Sequence, residues 1–322
     1  MLLSYNADIS PQVDPGVIIG GAAGDVAVSE FASKLLEWII QTFYTGLYSS
    51  VENSLQGLFD TLNNELAAAA GNIATGPRQW NGSAYSTVQG VAENVCIPIA
   101  GTFITLIFCW ELIHLAQDSN AMQNVKPDKL MFTLIKFCLC LMACTYSFKI
   151  VMAFCDLGIW ATSQLGQTSV SISMAPTMND LGLSNPPGDG YTLENLMELI
   201  GYKIILVIAR VGISICGLLV YVRVMLWFVE VLLYASVAPI PYSTWMNREW
   251  SQVGMNYTRK MLALSFEGFF MLLLFAIYGG VLGGLQLGDF KQSLVMVIGC
   301  GFALAVMMFK VGNISSSIFN AH

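Results

Sequence analysis

Charge is what this chain of 322 residues has least of: only 11% of it is Asp, Glu, Lys or Arg, against about 25% in a water-soluble domain. That shortage excludes an ordinary soluble enzyme, whose surface it could not keep hydrated. Basic residues are the scarcer sign. Fourteen Lys and Arg against 21 Asp and Glu leave a net charge of -7, whereas a protein that grips nucleic acid by its phosphates needs a basic face. Histidine occurs only at 114 and 322, and the eight cysteines sit mostly inside apolar stretches. Neither a secreted disulfide framework nor a Cys/His metal site is therefore expected. In an apolar stretch cysteine serves as a small hydrophobe. The opening residues Met1 to Asp8 lack a basic cluster followed by an apolar run, so no cleavable signal peptide is expected. Gly-x-Ser-x-Gly, His-Glu-x-x-His and the phosphate-loop pattern are missing as well, and the chain is expected to be no enzyme and to use no cofactor. Energy for any transport would then come from a gradient or from a separate ATPase.

What is abundant is apolar. Hydrophobic residues make up 55% of the chain and mean hydropathy is +0.63, which predicts an all-α, polytopic membrane protein. A hydrocarbon core about 30 Å thick takes about 20 residues at 1.5 Å rise each. Five stretches approach or exceed that length, at 95–116, 130–155, 199–238, 261–285 and 291–310. The third would make about 60 Å of helix. Such a helix either tilts and kinks near Gly212 or Gly217, or projects above the membrane at one end.

Lys and Arg concentrate on the cytoplasmic side of a membrane protein. The connections 117–129 and 239–260 hold Lys126, Lys129, Arg248, Arg259 and Lys260, while residues 1–89 hold Lys34 and Arg78 against eight acids. This predicts the N-terminus outside, five crossings and the C-terminus inside, although Lys149, Lys203 and Lys291 at the outer ends run against the count.

Two regions lie beyond the predicted spans. Phe31, Leu35, Ile39, Phe43, Leu47, Val51, Leu55, Leu58, Leu62 and Leu66 recur at threes and fours, the pattern of an amphipathic helix that rests on a membrane or a partner. Residues 31–48 could alternatively form a sixth crossing. Residues 1–89 are expected outside, and 90–322 form the membrane domain, with an outer loop at 156–198 whose end, from Tyr191, opens the third span's helix at Thr192.

An ionisable side chain in lipid costs on the order of 3 kcal/mol or more, so it faces protein or water. Counted from the predicted cytoplasmic ends, Glu111 lies about 8 Å in, Lys136 and Glu267 about 9 Å, and Glu230 about 14 Å, with Arg223 about 24 Å up the same face as Glu230. These five are the candidate site residues. Two readings stand: ion pairs that fix helix packing, or a hydrophilic layer lining a passage. Gly279 with Gly283, and Gly280 with Gly284, form small-x-x-x-small registers that suit close helix packing in lipid. Pro98 is expected in the first turn of span one, where a missing N–H is harmless. Pro239 and Pro241 are expected to end the long helix.

The run Val231-Leu-Leu-Tyr-Ala-Ser-Val-Ala-Pro-Ile-Pro241, a basic linker to Arg259-Lys260, Ser265-Phe-Glu-Gly-Phe-Phe270, a Gly/Ala-rich final span and the tail Phe309-Lys-Val-Gly-Asn-Ile-Ser-Ser-Ser-Ile-Phe319 together resemble the TrbL family over roughly residues 90–322. That family is the polytopic channel component of type IV secretion systems, and the resemblance is to the version in Gram-positive conjugative elements. It implies a platform subunit of the bacterial cytoplasmic membrane, oligomeric, working beside ATPases and a cell-wall hydrolase, whose outer loop meets a DNA–protein substrate. The loop has five acids and no basic residue, so a guiding or gating role suits it better than a grip on phosphate. A secondary transporter and a structural anchor of another complex are the competing classes. The transporter would show inverted repeats.

Overall fold

The computed structural model describes residues 21–118, 127–166, 178, 183–187, 190–247, 249–283 and 290–321. Gly284, Lys126, Arg248, His322 and much of the predicted outer loop lie outside these. Among the described residues all regular structure is helical: α1 (Gly21–Ala74), α2 (Pro77–Trp80), α3 (Gly82–Val91), a π turn (Ala92–Cys96), α4 (Ile97–Asp118), α5 (Pro127–Thr145), α6 (Ser147–Gly166), α7 (Leu193–Val237), α8 (Pro239–Ser243), α9 (Ser251–Gly283) and α10 (Phe290–Ile318). Four helical runs are long and apolar enough to cross a membrane: Gly82–Gln117, Leu193–Val237, Ser251–Leu282 and Leu294–Ile318. The bent pair α5–α6 makes a fifth if it counts as one span. The protein is an all-α polytopic membrane protein.

Two compact units divide the chain. The first comprises residues 1–61, 174–214 and 285–299, the second 62–173, 215–284 and 300–322. The boundary expected at residue 89 is thus not a structural one, since α3 and the π turn carry straight across it.

In the first unit, α1 lies against α7 and against residues 183–184 and 191. The Tyr44 hydroxyl donates to the Ser184 carbonyl (3.1 Å) and that of Tyr48 to the Leu183 carbonyl (3.3 Å), while Tyr191 meets Tyr44 edge-on. Burial, then the neighbouring Tyr48, Tyr191 and Glu198, raises the Tyr44 phenol above its ordinary value, so it stays a neutral donor. The Lys203 ammonium donates to the Ser50 carbonyl and hydroxyl (2.9 Å each) and to the Ser54 hydroxyl. Replacing Lys203 by Met is therefore expected to cost about 2 kcal/mol, the net worth of hydrogen bonds to a charged group. It should lower the melting temperature in detergent; an unchanged melt would mean that this contact does not seat α1. The predicted apolar stripe of α1 is only partly covered. Val51, Leu55 and Leu58 are buried, but Phe31, Leu35, Ile39 and Phe43 are exposed, and α1 is not among the helices apolar enough to cross. The helix also starts at Gly21 and runs to Ala74, well past both ends of the stripe.

The second unit departs from expectation in three places. The stretch 130–155 is not one helix: it breaks at Tyr146 and bends by 67°. No Pro or Gly marks the break. The two halves have different partners, α5 packing on α4 and α8 and α6 lying along α9, and the bend lets both dock. α6 then continues to Gly166, so residues 156–166 are helical rather than loop. Pro98 is in the first turn of α4, as expected, but that turn is not a free helix start. The π turn just before it, with the Ile97 N–H donating to the Ala92 carbonyl, absorbs the register error that an interior proline introduces. α9 starts at Ser251, ten residues before the predicted span. Asn247 prepares it, its side-chain oxygen accepting from the Glu249 (2.6 Å) and Trp250 (3.1 Å) N–H groups, the role of a helix cap.

α7 is helical throughout its 45 residues, Gly212 and Gly217 included. Thr192 accepts from the Asn195 N–H at 3.2 Å and so caps its start. At the other end the Ala238 N–H reaches back only to the Ala235 carbonyl, and Pro239 and Pro241, which have no N–H to continue the ladder, open the short α8.

Candidate functional site

The charged residues of α7 meet those of α9 along one seam of the second unit. The Arg223 guanidinium donates to the Glu267 carboxylate. One turn on, the Trp227 indole N–H donates to the Leu264 carbonyl at 2.9 Å. Next, the Lys260 ammonium lies 3.9 Å from the Glu230 carboxylate, and finally the Tyr257 hydroxyl donates to the Tyr234 carbonyl at 2.8 Å. The partners ascend on α7 while they descend on α9, so the two helices are antiparallel and cross-linked at every turn or so. Steps of three or four residues keep all four groups on one face.

α10 closes the seam. The Ser315 hydroxyl donates to the Ala263 carbonyl at 2.6 Å and Lys260 to the Ser316 hydroxyl at 3.2 Å. Gly312 lies over the ion pair: a Cβ there would sit 3.0 Å from both Arg223 Nη2 and Glu267 Oε1. A methyl group there would press on both side chains, which would have to give by a few tenths of an ångström. Gly268 stands in the same way to the Trp227 ring, whose nearest atom would be 2.9 Å from an added Cβ. Glu267 is 2% exposed and Arg223 8%, so the pair lies inside protein.

Of the five candidate charges, the structure joins Arg223 to Glu267 directly and gives Glu230 a partner in Lys260, which the sequence placed in a connection. Glu111 and Lys136 lie half-buried on α4 and α5, helices that pack together. The glycines divide unexpectedly. A Cβ on Gly279 or Gly280 would meet nothing within 4 Å, Gly283 is the last residue of α9, and Gly284 lies outside the described residues, so within this chain the predicted registers pack against nothing described. Besides Gly268, close approaches occur at Gly158, where a Cβ would lie 1.9 Å from the Ser265 carbonyl oxygen, at Gly254, against the Trp245 ring, and at Gly217, against the Glu65 carboxylate. The tail's spacing of Gly312, Ser315 and Ser316 is a small-polar face that could have pointed to the seam. Among the described residues no group of three or more His, Cys, Asp or Glu is placed to hold a metal ion.

Residues 62–239, more than half of the chain, match the family model described as TrbL/VirB6 plasmid conjugal transfer like protein. The chain belongs to this family. The TrbL/VirB6 match begins at Leu62, where the second compact unit also begins, and stops at Pro239; the resemblance at 265–270 and 309–319 lies beyond it. No curated protein and no solved structure matches the chain. Membership makes the protein a multi-pass membrane component of a conjugal transfer system, related to type IV secretion.

Proposed function

We propose that this protein is the platform or channel subunit through which a conjugative DNA–protein substrate crosses the bacterial cytoplasmic membrane. The family match over α7, the longest of the apolar helices, carries the reading. On it the subunit is not an enzyme, assembles with copies of itself, and works with ATPases and a cell-wall hydrolase. Its N-terminus is outside and its C-terminus in the cytoplasm, as the distribution of Lys and Arg suggests. The polar seam is a fastening rather than a lining. Its Glu267 and Arg223 are buried against each other, whereas a lining carboxylate would face an opening.

The test is genetic. An in-frame deletion in a donor cell is expected to reduce transfer to recipients to background, and the gene supplied in trans to restore it. Undiminished transfer from the deleted donor would overturn the reading.

A further inference from the structure

Residues 62–81 were expected outside the membrane, yet in the second unit they sit against its central helices. Leu66, Ala69 and Ile73 are buried. Ile73 and the Trp227 ring close together over Gly268 of α9, 3.2 Å and 2.9 Å from where its Cβ would be. Trp80 stacks on Phe228 of α7 with ring centroids 4.7 Å apart and planes 4° from parallel.

The depth follows from α9. Its 33 residues make about 48 Å of helix, while the hydrocarbon core is about 30 Å thick. Gly268 and Ser265 are close enough to its middle that both fall within such a slab wherever it sits along a helix that crosses it. Ile73 touches the first of these levels. The second is that of Gly158 on α6, pressed on the Ser265 carbonyl, and Ile159 beside it lies 3.3 Å from where a Cβ on Gly76 would be.

At this depth the helix is broken. α1 stops at Ala74, α2 occupies only Pro77–Trp80, and Asn81 is extended. Backbone freed from a helix in hydrocarbon persists only where it is covered by protein or lines water. Beside the break is a cavity of about 310 Å³ whose lining includes Arg78, Gln79, Tyr85 and Asp156. That volume would hold roughly ten waters, and both charged residues need them or a polar partner.

We propose that residues 62–81 lie within the bilayer, and that the break there opens a water-filled cavity in which Arg78 and Asp156 are solvated. The cavity admits water and small hydrophilic solutes at a depth where the spans around it are apolar. This does not depend on the conjugative role.

Single cysteines placed in the full-length protein test it in native membranes, with labelling read peptide by peptide and compared with labelling after denaturation in SDS. Gly71 and Ala74 suit because nothing lies within 4 Å of a Cβ on the first and the second is exposed; Gln79 is exposed and lines the cavity. Gly71→Cys and Ala74→Cys are expected to resist a bulky impermeant maleimide from both faces, and Gln79→Cys to react with a small charged methanethiosulfonate. Near-complete maleimide labelling at 71 or 74 would place the segment in water and overturn the proposal. Silence of Gln79→Cys toward the small reagent would leave the cavity without water and overturn it equally.

Discussion

Glutamine in place of Glu267 is expected to remove most of the protein from the membrane. The side chain keeps its shape but loses its charge, and Arg223 is left as a cation in a site where both partners are almost wholly buried. Breaking a buried pair on one side costs about 3–5 kcal/mol, a large fraction of the stability of most folded domains. Removing both charges is a different matter. With Arg223→Met and Glu267→Leu together, no ion needs a partner, and apolar replacement of a buried pair is often neutral or stabilising. Steady-state level in the membrane and melting in detergent should therefore fall sharply in Glu267→Gln and recover in the double variant. Equal loss in both would mean that the seam depends on the charges as such.

The second large effect is expected at Gly158. Alanine there would place a methyl group 1.9 Å from the Ser265 carbonyl oxygen and 2.7 Å from its carbon. Both are backbone atoms, so no side chain can swing aside. α6 would have to lift from α9, at a cost above the usual 1–3 kcal/mol of overpacking. Gly279→Ala and Gly280→Ala make the comparison, because their added methyl groups enter open space and alanine favours a helix over glycine by about 0.5–1 kcal/mol. Gly158→Ala should melt much lower than the parent, and the other two at or above it. Parity among the three would contradict the close approach of α6 and α9.

These contrasts mark how far the sequence could be read. The apolar spans were legible because lipid demands a fixed length of helix, and Arg223, Glu230 and Glu267 stood out because charge within such a length needs a partner. Which partner was not legible. Lys260 counts as a connection residue until α9 is seen to begin at Ser251, and nothing in the run 247–260 except Asn247 announces that start. The break at Tyr146 had no proline or glycine to signal it; it arises because α5 and α6 answer to different neighbours. Glycine spacing alone could not separate Gly158, where a Cβ would strike a backbone, from Gly279, where it would meet nothing within 4 Å, since the difference lies in what faces each of them. Residues 62–81, assigned with the rest of 1–89 to the outside, carry no sign in their own sequence of what Ile73 and Trp80 would meet; that lies on α9 and α7, at Gly268 and Phe228.

If the charges of the seam hold helices together and do not handle the substrate, transfer per molecule should not need them. The most direct measurement is conjugation frequency from donors carrying the Arg223→Met, Glu267→Leu double variant, normalised to the amount of protein in the membrane. Transfer per molecule equal to the parent's is expected. A stable, correctly inserted double variant with collapsed transfer would show instead that the buried pair takes part in moving the substrate.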